Sequence, residues 1–193
     1  TVVEKGENKL TALHAAIWSG GIFLYVPKNT EVKIPIQTLF VTDRAETVFS
    51  PHVLIVAEAN SSVTYVSNYT SAGDQRELVH NGVVEVVAGP GARVQYAAVH
   101  NLSEAITDIS YRRALVQNDA SIDWVIGEMN NGNVLSDVSS ILKGNGSRSY
   151  AKVVCIGEGK HELNVSTRAV HYGLNSDSDM LTRAVMRDEA QAI

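Results

Sequence analysis

The feature that most constrains the fold is a pattern of strand and turn residues that recurs roughly every 30 positions. Its clearest copy runs from His52 to Thr70, where two arms rich in β-branched and aromatic residues flank a polar turn at Asn60. Val63 is the first apolar residue after this turn, and equivalent residues lie 31 positions before it, 31 after it and 28 further on. The equivalent residues are Val32, Val94 and Ile122. A repeat of this length predicts a solenoid, in which units that cannot bury their own apolar face stack on one another.

Four other columns of the repeat show the same regularity. Two positions after the reference column stand Ile34, Tyr65, Tyr96 and Trp124. Six and eight positions before it stand Val26, Ala57, Ala88 and Val116, and Leu24, Ile55, Val86 and Ala114. Three positions before it stand Asn29, Asn60, Gly91 and Asp119, residue types that tolerate a left-handed backbone. The apolar columns predict inward-facing strand residues, and the last column predicts an equivalent left-handed turn corner in each repeat.

These columns predict an all-β chain, a parallel β-helix of about six rungs with two strands each. The first four rungs extend over residues 22–40, 52–70, 83–100 and 109–129. The fifth and sixth follow position 134, with turns at Gly144-Asn145-Gly146 and Asn175-Ser176-Asp177. Pro35 has no amide hydrogen to donate to a neighbouring strand, so the second arm of the first rung is expected at the edge of a sheet. Residues 10–18 fit one short helix or a lead-in strand.

Composition indicates a single folded domain over residues 1–193, with 45% hydrophobic residues. The net charge of −5 argues against binding to nucleic acid or anionic membranes. No apolar run reaches the roughly 18 residues of a membrane-spanning helix, and no secretion signal opens the chain. A lone cysteine cannot form an internal disulfide and suits a reducing compartment. We therefore predict a cytoplasmic protein without a nucleic-acid or membrane partner.

Few residues have the spacing of a catalytic or metal site. No two histidines have the i, i+4 spacing of a helical zinc site, and the histidines are His14, His52, His80, His100, His161 and His171. Cys155 lies in an apolar strand and is predicted to be a buried structural residue, since the sequence shows no base beside it. Asn175, Asp177 and Asp179 alternate like the start of a calcium loop, but the Gly and Glu that complete such a loop are missing. We therefore assign no catalytic, cofactor-binding or metal-binding residue, and the roles of Cys155 and His171 stay open.

Three stretches of the chain carry a family resemblance. The first is Lys9–Ala16 followed by Gly20–Asn29, which contains Phe-Leu-Tyr-Val-Pro-Lys-Asn. The second is His52–Glu58 together with Ser62–Val66, and the third is Val170–Gly173. In this order they resemble the β-helix core of the SufB/SufD family of iron–sulfur cluster assembly proteins, and its SufD branch in particular. The resemblance extends over essentially the whole chain.

The resemblance implies a right-handed parallel β-helix that serves as a non-enzymatic scaffold in iron–sulfur cluster assembly. It implies pairing with a SufB-like paralogue or a second copy through the β-helix, and with a SufC-like ATPase through a C-terminal region outside this chain. It implies no bound cofactor here, because the family's cluster-handling histidine lies beyond residue 193 and Cys155 does not match the cluster-scaffold cysteine motif of SufB. Helical regions flank the family's core, so we expect an internal fragment of a longer protein, in line with the uncapped strands at both ends.

Two other functional classes are compatible with the repeat. A polysaccharide-active parallel β-helix would be exported and would stack charged side chains on one outer face. A cupin-like metal-binding barrel would share the cadence of residues 84–92, but it requires a His-x-His pair that the chain lacks.

Overall fold

The computed structural model describes residues 2–18, 20–43, 48–72 and 78–193. Within these ranges one helix, α1 (Lys9–Ile17), precedes strands that belong to two sheets. The eight-stranded sheet A contains β1 (Gly21–Val26), β3 (Val48–Phe49), β4 (His52–Ala57), β6 (Leu78–Ala88), β8 (Ile106–Val116), β10 (Val134–Leu142), β12 (Glu162–His171) and β14 (Gln191–Ala192). The six-stranded sheet B contains β2 (Ile36–Thr42), β5 (Ser62–Ser71), β7 (Arg93–Asn101), β9 (Ser121–Glu128), β11 (Arg148–Gly157) and β13 (Asp177–Met186).

All pairings among these strands are parallel, and the chain winds as a solenoid of about six turns. Each turn, or rung, contributes one strand to sheet A and one to sheet B, and β1 and β2 form the first rung. The predicted parallel β-helix of about six two-stranded rungs is therefore confirmed. As expected from Pro35, β2 lies at the edge of sheet B. The parallel ladder also excludes a cupin-type barrel, which is built from antiparallel strands.

The predicted turn corners all have a left-handed backbone. The φ angles are 59°, 57°, 69° and 55° at Asn29, Asn60, Gly91 and Asp119. Later corners at Gly146 and Asn175 repeat this conformation. The ladder continues through the corners, because the Asn60 amide donates to the Pro90 carbonyl at 2.9 Å and the Gly91 amide donates to the Asn118 carbonyl at 2.8 Å. Each corner is thereby aligned with the next along the stack.

Inward-facing columns of the two sheets form one continuous core. In sheet A the residues in register, all buried, are Val26, Ala57, Ala88 and Val116. In sheet B, Tyr65, Tyr96 and Trp124 are in register and buried. The Tyr65 and Tyr96 rings stack with centroids 5.8 Å apart, and the Tyr96 and Trp124 rings meet edge to face at 5.4 Å. Aromatic side chains therefore fill the middle of the solenoid, as the repeat predicts.

The assignment of Ile34 to this aromatic column is wrong. Ile34 is 79% exposed, and Ile36 is the residue in register with Tyr65. Paired residues of the first two rungs are 31 sequence positions apart at the bridge from Glu31 to Ser62, but only 29 positions apart within β2. Residues 33–35 lie outside the ladder there, because Pro35 cannot donate a backbone hydrogen bond to a neighbouring strand.

The N-terminal segment covers part of the outer face of sheet A. Helix α1 is capped by Asn8, whose side chain accepts from the amides of Leu10 and Thr11, while the Thr11 hydroxyl accepts from the Asn8 amide. His14 connects the helix to the sheet, because its Nδ1 donates a hydrogen bond to the Asn81 carbonyl oxygen at 2.8 Å. A small apolar cluster supports this contact and contains Val3, Val83, Ile109 and Tyr111. No helix in the described part of the chain is long and apolar enough to cross a membrane.

Substituting Gly91 with valine should destabilise the protein by about 1–3 kcal/mol. Gly91 has a φ angle of 69°, which a β-branched residue resists, and a Cβ atom there would lie 2.4 Å from Asn60 Oδ1. Urea unfolding would measure the loss. Gly6→Val is the matched control, because a Cβ atom on Gly6 meets no atom within 4 Å. Equal losses in the two variants would contradict the role of the corner.

Candidate functional site

At one end, the solenoid interior contains polar and charged side chains instead of apolar ones. Near the ends of four strands of sheet B, the inward-facing residues in register are Tyr69, His100, Glu128 and Cys155. In sheet A, His80 near the start of β6 is in register with Asp108 near the start of β8. Because each strand of sheet B ends where the next strand of sheet A begins, the two sets face each other across the interior. All six residues are exposed by 3% or less.

Asp108 is the centre of this arrangement. Its Oδ1 accepts hydrogen bonds from His80 Nδ1 at 2.6 Å and from Ser110 Oγ at 3.0 Å. Its Oδ2 accepts hydrogen bonds from His100 Nδ1 and from Asn130 Nδ2, both at 2.7 Å. Burial raises the pKa of Asp108, but the two histidines and their hydrogen bonds lower it by more, so that it lies well below its usual value. The Asp108 carboxyl is therefore ionised at neutral pH.

Arg112 links the two sheets. Its Nη1 donates to Glu128 Oε1 at 3.0 Å and to Ser136 Oγ at 2.8 Å, and its Nη2 donates to His100 Nε2 at 2.8 Å. A guanidinium group only donates, so His100 Nε2 accepts and His100 Nδ1 carries the proton that it donates to Asp108. Burial lowers the pKa of Arg112, but the Glu128 carboxylate, together with Asp108 and neighbouring tyrosines, raises it by more. The interior cluster, as we call this group, consists of His80, His100, Asp108, Arg112 and Glu128.

The interior cluster has an unbalanced charge. His80 donates from Nδ1 to Asp108, and burial lowers the pKa of His80 more than the Asp108 carboxylate raises it, so its imidazole is neutral. His100 is neutral as well, because its Nε2 accepts from Arg112. Two buried carboxylates therefore face one guanidinium, which leaves one excess negative charge. Since a buried charge without a counter-charge is costly, the cluster favours uptake of a cation or a proton.

Some polar atoms of the interior cluster lack hydrogen-bond partners, and its histidines and aspartate have the arrangement of metal ligands. The buried unpartnered atoms are His80 Nε2, Arg112 Nε and Glu128 Oε2. Ligand atoms of His80, His100 and Asp108 lie within 4.8 Å of one another, and no other such group of three occurs among residues 2–18, 20–43, 48–72 and 78–193. Imidazole nitrogen and carboxylate oxygen together suit divalent first-row transition metals.

A second group of titratable residues lies outside the solenoid, beneath the N-terminal segment. His14 Nε2 and His52 Nδ1 are 3.1 Å apart, and His52 Nε2 lies 3.2 Å from Glu85 Oε2. The other oxygen of Glu85 accepts from the amide of Val3 at 2.6 Å and from that of Val2. Burial raises the pKa of Glu85, but these hydrogen bonds lower it below its usual value. The group borders a cleft of about 990 Å³ and holds the N-terminal segment against sheet A.

Cys155 and His171, whose roles the sequence leaves open, lie in different surroundings. Cys155 is 1% exposed, which confirms its predicted burial. His171 is exposed, and its Nδ1 and Nε2 lie 2.7 Å and 3.0 Å from the hydroxyls of Ser176 and Ser178. His171 therefore lies outside the interior cluster.

Cys155 should react slowly with thiol reagents in the native protein. Burial raises the pKa of its thiol, and the Glu128 carboxylate raises it further, so little of the reactive thiolate forms at neutral pH. Labelling with a chromogenic disulfide reagent should be at least about tenfold slower in buffer than in denaturant. Equal labelling rates in the two conditions would contradict the structural role.

The sequence prediction did not include the interior cluster, because its residues have no motif spacing along the chain. They follow the offsets of the repeat instead. His100 follows Tyr69 by 31 positions and precedes Glu128 by 28, and His80 precedes Asp108 by 28. These are the offsets of the apolar columns, so a search for polar residues at the repeat spacing could have found them.

Comparison with known proteins agrees with this architecture. The family described as SUF system FeS cluster assembly, SufBD core domain, matches residues 40–193. The iron-sulfur cluster assembly protein SufD of Bacillus subtilis is 43% identical over 192 residues, which are 99% of this chain and 44% of that protein. The iron-sulfur cluster assembly protein SufB of the same organism is 26% identical over 187 residues, which are 96% of this chain and 40% of that protein.

A SufBD family protein of Staphylococcus saprophyticus is 27% identical over 194 residues, which correspond to 100% of this chain and 42% of that protein. The chain thus spans less than half the length of these curated relatives. The matched domain contains most of the strands of both sheets and the whole interior cluster. The resemblance seen in the sequence is confirmed, and the chain belongs to the SufB/SufD family.

Proposed function

We propose that this protein is a SufD-like scaffold of the SUF machinery for iron–sulfur cluster assembly, without catalytic turnover of its own, acting in the cytoplasm. The observation that carries the proposal is the 43% identity to a SufD, against 26% to a SufB of the same organism. A stack of parallel rungs with one continuous core supports a scaffold role, because it gives a stiff framework for other subunits. Family membership favours this role over that of a polysaccharide-active β-helix.

We expect a SufB-like paralogue to bind along the solenoid, and a SufC-like ATPase to bind through a region outside these residues. Exposed apolar side chains on the outer face of sheet B support the first contact, since Val99, Val125 and Val154 are 38%, 41% and 40% exposed at outward-facing positions. Exposed apolar surface of this kind often marks a site for another protein. A second copy of this chain is the alternative partner.

Co-purification tests the partners. The full-length protein would be co-expressed with the SufB-like and SufC-like proteins of the same organism and analysed by size-exclusion chromatography with light scattering. We expect one complex that contains all three, and cluster transfer to an apo-acceptor that falls when any one is left out. Cluster transfer that proceeds equally well without this protein would contradict the scaffold role.

Residues 1–193 on their own should retain no iron–sulfur cluster. Clusters are held mainly by several cysteine thiolates, and this chain has one cysteine, which is buried. After anaerobic reconstitution with iron and sulfide followed by desalting, acid-labile sulfide should be far below one equivalent per chain. Stoichiometric iron and sulfide on these residues alone would contradict this expectation.

A further inference from the structure

We propose that the interior cluster binds one divalent first-row transition-metal ion through His80, His100 and Asp108. The ligand atoms of these residues already lie within 4.8 Å of one another, and all three side chains are fixed by the register of β6, β7 and β8. Two imidazoles and a carboxylate are a ligand set that Zn²⁺, Fe²⁺ and Co²⁺ share. The site goes beyond the scaffold role, because it requires neither a partner nor a cluster.

The negative charge of the interior cluster favours the binding of a cation. Asp108 and Glu128 are both 0% exposed, and among the described residues of the interior cluster Arg112 is the one guanidinium, paired directly with Glu128. Three protein ligands leave a fourth position for a water molecule, and a bound divalent ion lowers the pKa of such a water. The divalent ion would place positive charge beside these two buried carboxylates.

The histidine protons can be accommodated. Coordination through Nδ1 requires each imidazole to move its proton to Nε2, with no net release of protons. His80 permits this shift at once, because its Nε2 is buried and has no hydrogen-bond partner. For His100 the shift requires Arg112 to release Nε2, and Arg112 keeps its bonds to Glu128 and Ser136 when it does so. Metal loading is therefore linked to a small movement of Arg112.

Glu128 supplies an independent observation. Its Oε1 accepts from Arg112, but its Oε2 is buried without a hydrogen-bond donor and lies 3.9 Å from His100 Nδ1. An ionised oxygen in such a place is costly unless a cation or a donor comes close to it. When the ion is bound, Oε2 can accept from the metal-bound water and hold it in place.

The test is direct metal loading. Because the site is closed to solvent, the protein would be stripped with a chelator, unfolded, and refolded with a slight excess of Co²⁺ or Zn²⁺. After desalting we expect about one ion per chain and a melting temperature that rises with the free metal concentration. The bound Co²⁺ should show absorption bands in the visible range that are typical of an ion with few ligands. X-ray absorption of the bound ion should show nitrogen ligands from imidazole.

Two variants locate the ion. His80→Gln should retain less than about one-tenth of the wild-type metal, whereas His171→Gln, which removes an exposed histidine outside the cluster, should retain all of it. If His80→Gln does not refold, the stoichiometry and imidazole signature of the wild-type protein decide the question. Wild-type protein that retains neither ion, or a folded His80→Gln that retains the full amount, would overturn the proposal. Either result would leave the scaffold role standing, because that role is tested through partner binding.

Discussion

Replacing Asp108 with asparagine is expected to destabilise the protein by about 3–5 kcal/mol, the range for removing one partner of a buried charge network. The carboxylate accepts from His80, His100 and Asn130, and it is fully buried. Asparagine has one oxygen where the carboxylate has two. Its NH₂ group is itself a donor, so it cannot accept the hydrogen bonds that the second carboxylate oxygen accepts now. Urea unfolding at pH 7.5 with a chelator present would measure the loss without any metal contribution.

The acid sensitivity of the wild-type protein should have two components. The folded pKa of Asp108 lies well below its unfolded value near 3.9, so its contribution is complete above about pH 4 and is lost as the pH falls through the folded pKa. The folded pKa of His80 also lies below its unfolded value near 6.5, so its contribution is present above about pH 6.5 and declines below it. We expect stability to fall from about pH 6.5 downward, by up to about 1.4 kcal/mol per pH unit for each proton taken up on unfolding.

Asp179→Asn is the matched control for Asp108→Asn. Asp179 is exposed on β13, so its substitution should change stability by no more than about 0.5 kcal/mol. In Asp108→Asn the loss of stability below about pH 4 should be smaller than in the wild-type protein, because the group that titrates there is absent. Similar unfolding free energies and similar pH profiles for the two variants would show that Asp108 is not the centre of the interior network.

The fold could be predicted from the sequence because its information is local and repeated. Each rung carries its own turn residue, such as Asn60, and its own alternation of apolar and polar positions, such as Val63, Thr64 and Tyr65. When these agree over several rungs, the register between neighbouring strands follows from the offset alone. The error at Ile34 arose where this condition fails, because the residues before Pro35 leave the ladder and shift the offset by two positions.

The interior cluster could not be predicted in the same way, because it depends on contacts between the two sheets. His100 and Asp108 are only eight positions apart, but one belongs to sheet B and the other to sheet A. Register within a sheet does not say which inward residues meet across the solenoid; that depends on the length of the turn that joins the sheets. A histidine in a strand is ordinarily solvated or singly bonded, and only the opposing sheet shows that His80 meets a buried carboxylate.

Replacing Tyr96 with alanine is expected to cost about 3–5 kcal/mol, the range for truncating a buried aromatic side chain. Tyr96 is 0% exposed and lies between the rings of Tyr65 and Trp124, with centroids at 5.8 Å and 5.4 Å. Alanine would leave a cavity in the middle of the core, and the parallel ladders on both sides of β7 prevent neighbouring rungs from closing it. The loss would be measured by urea unfolding, with the slope of the transition compared to that of the wild-type protein.

Two further variants separate the ring from the hydroxyl and the inner face from the outer face. Tyr96→Phe should cost less than about 1 kcal/mol, because the buried Tyr96 hydroxyl makes no hydrogen bond of normal geometry and loses only weaker contacts with Ser67, Tyr69 and Arg112. Thr64→Ala should change stability by no more than about 0.5 kcal/mol, since Thr64 is half-exposed on the outer face of β5. If Tyr96→Ala and Thr64→Ala unfold at the same urea concentration, the assignment of inward and outward faces is wrong. If Tyr96→Phe is as damaging as Tyr96→Ala, the hydroxyl rather than the stacked ring stabilises this column.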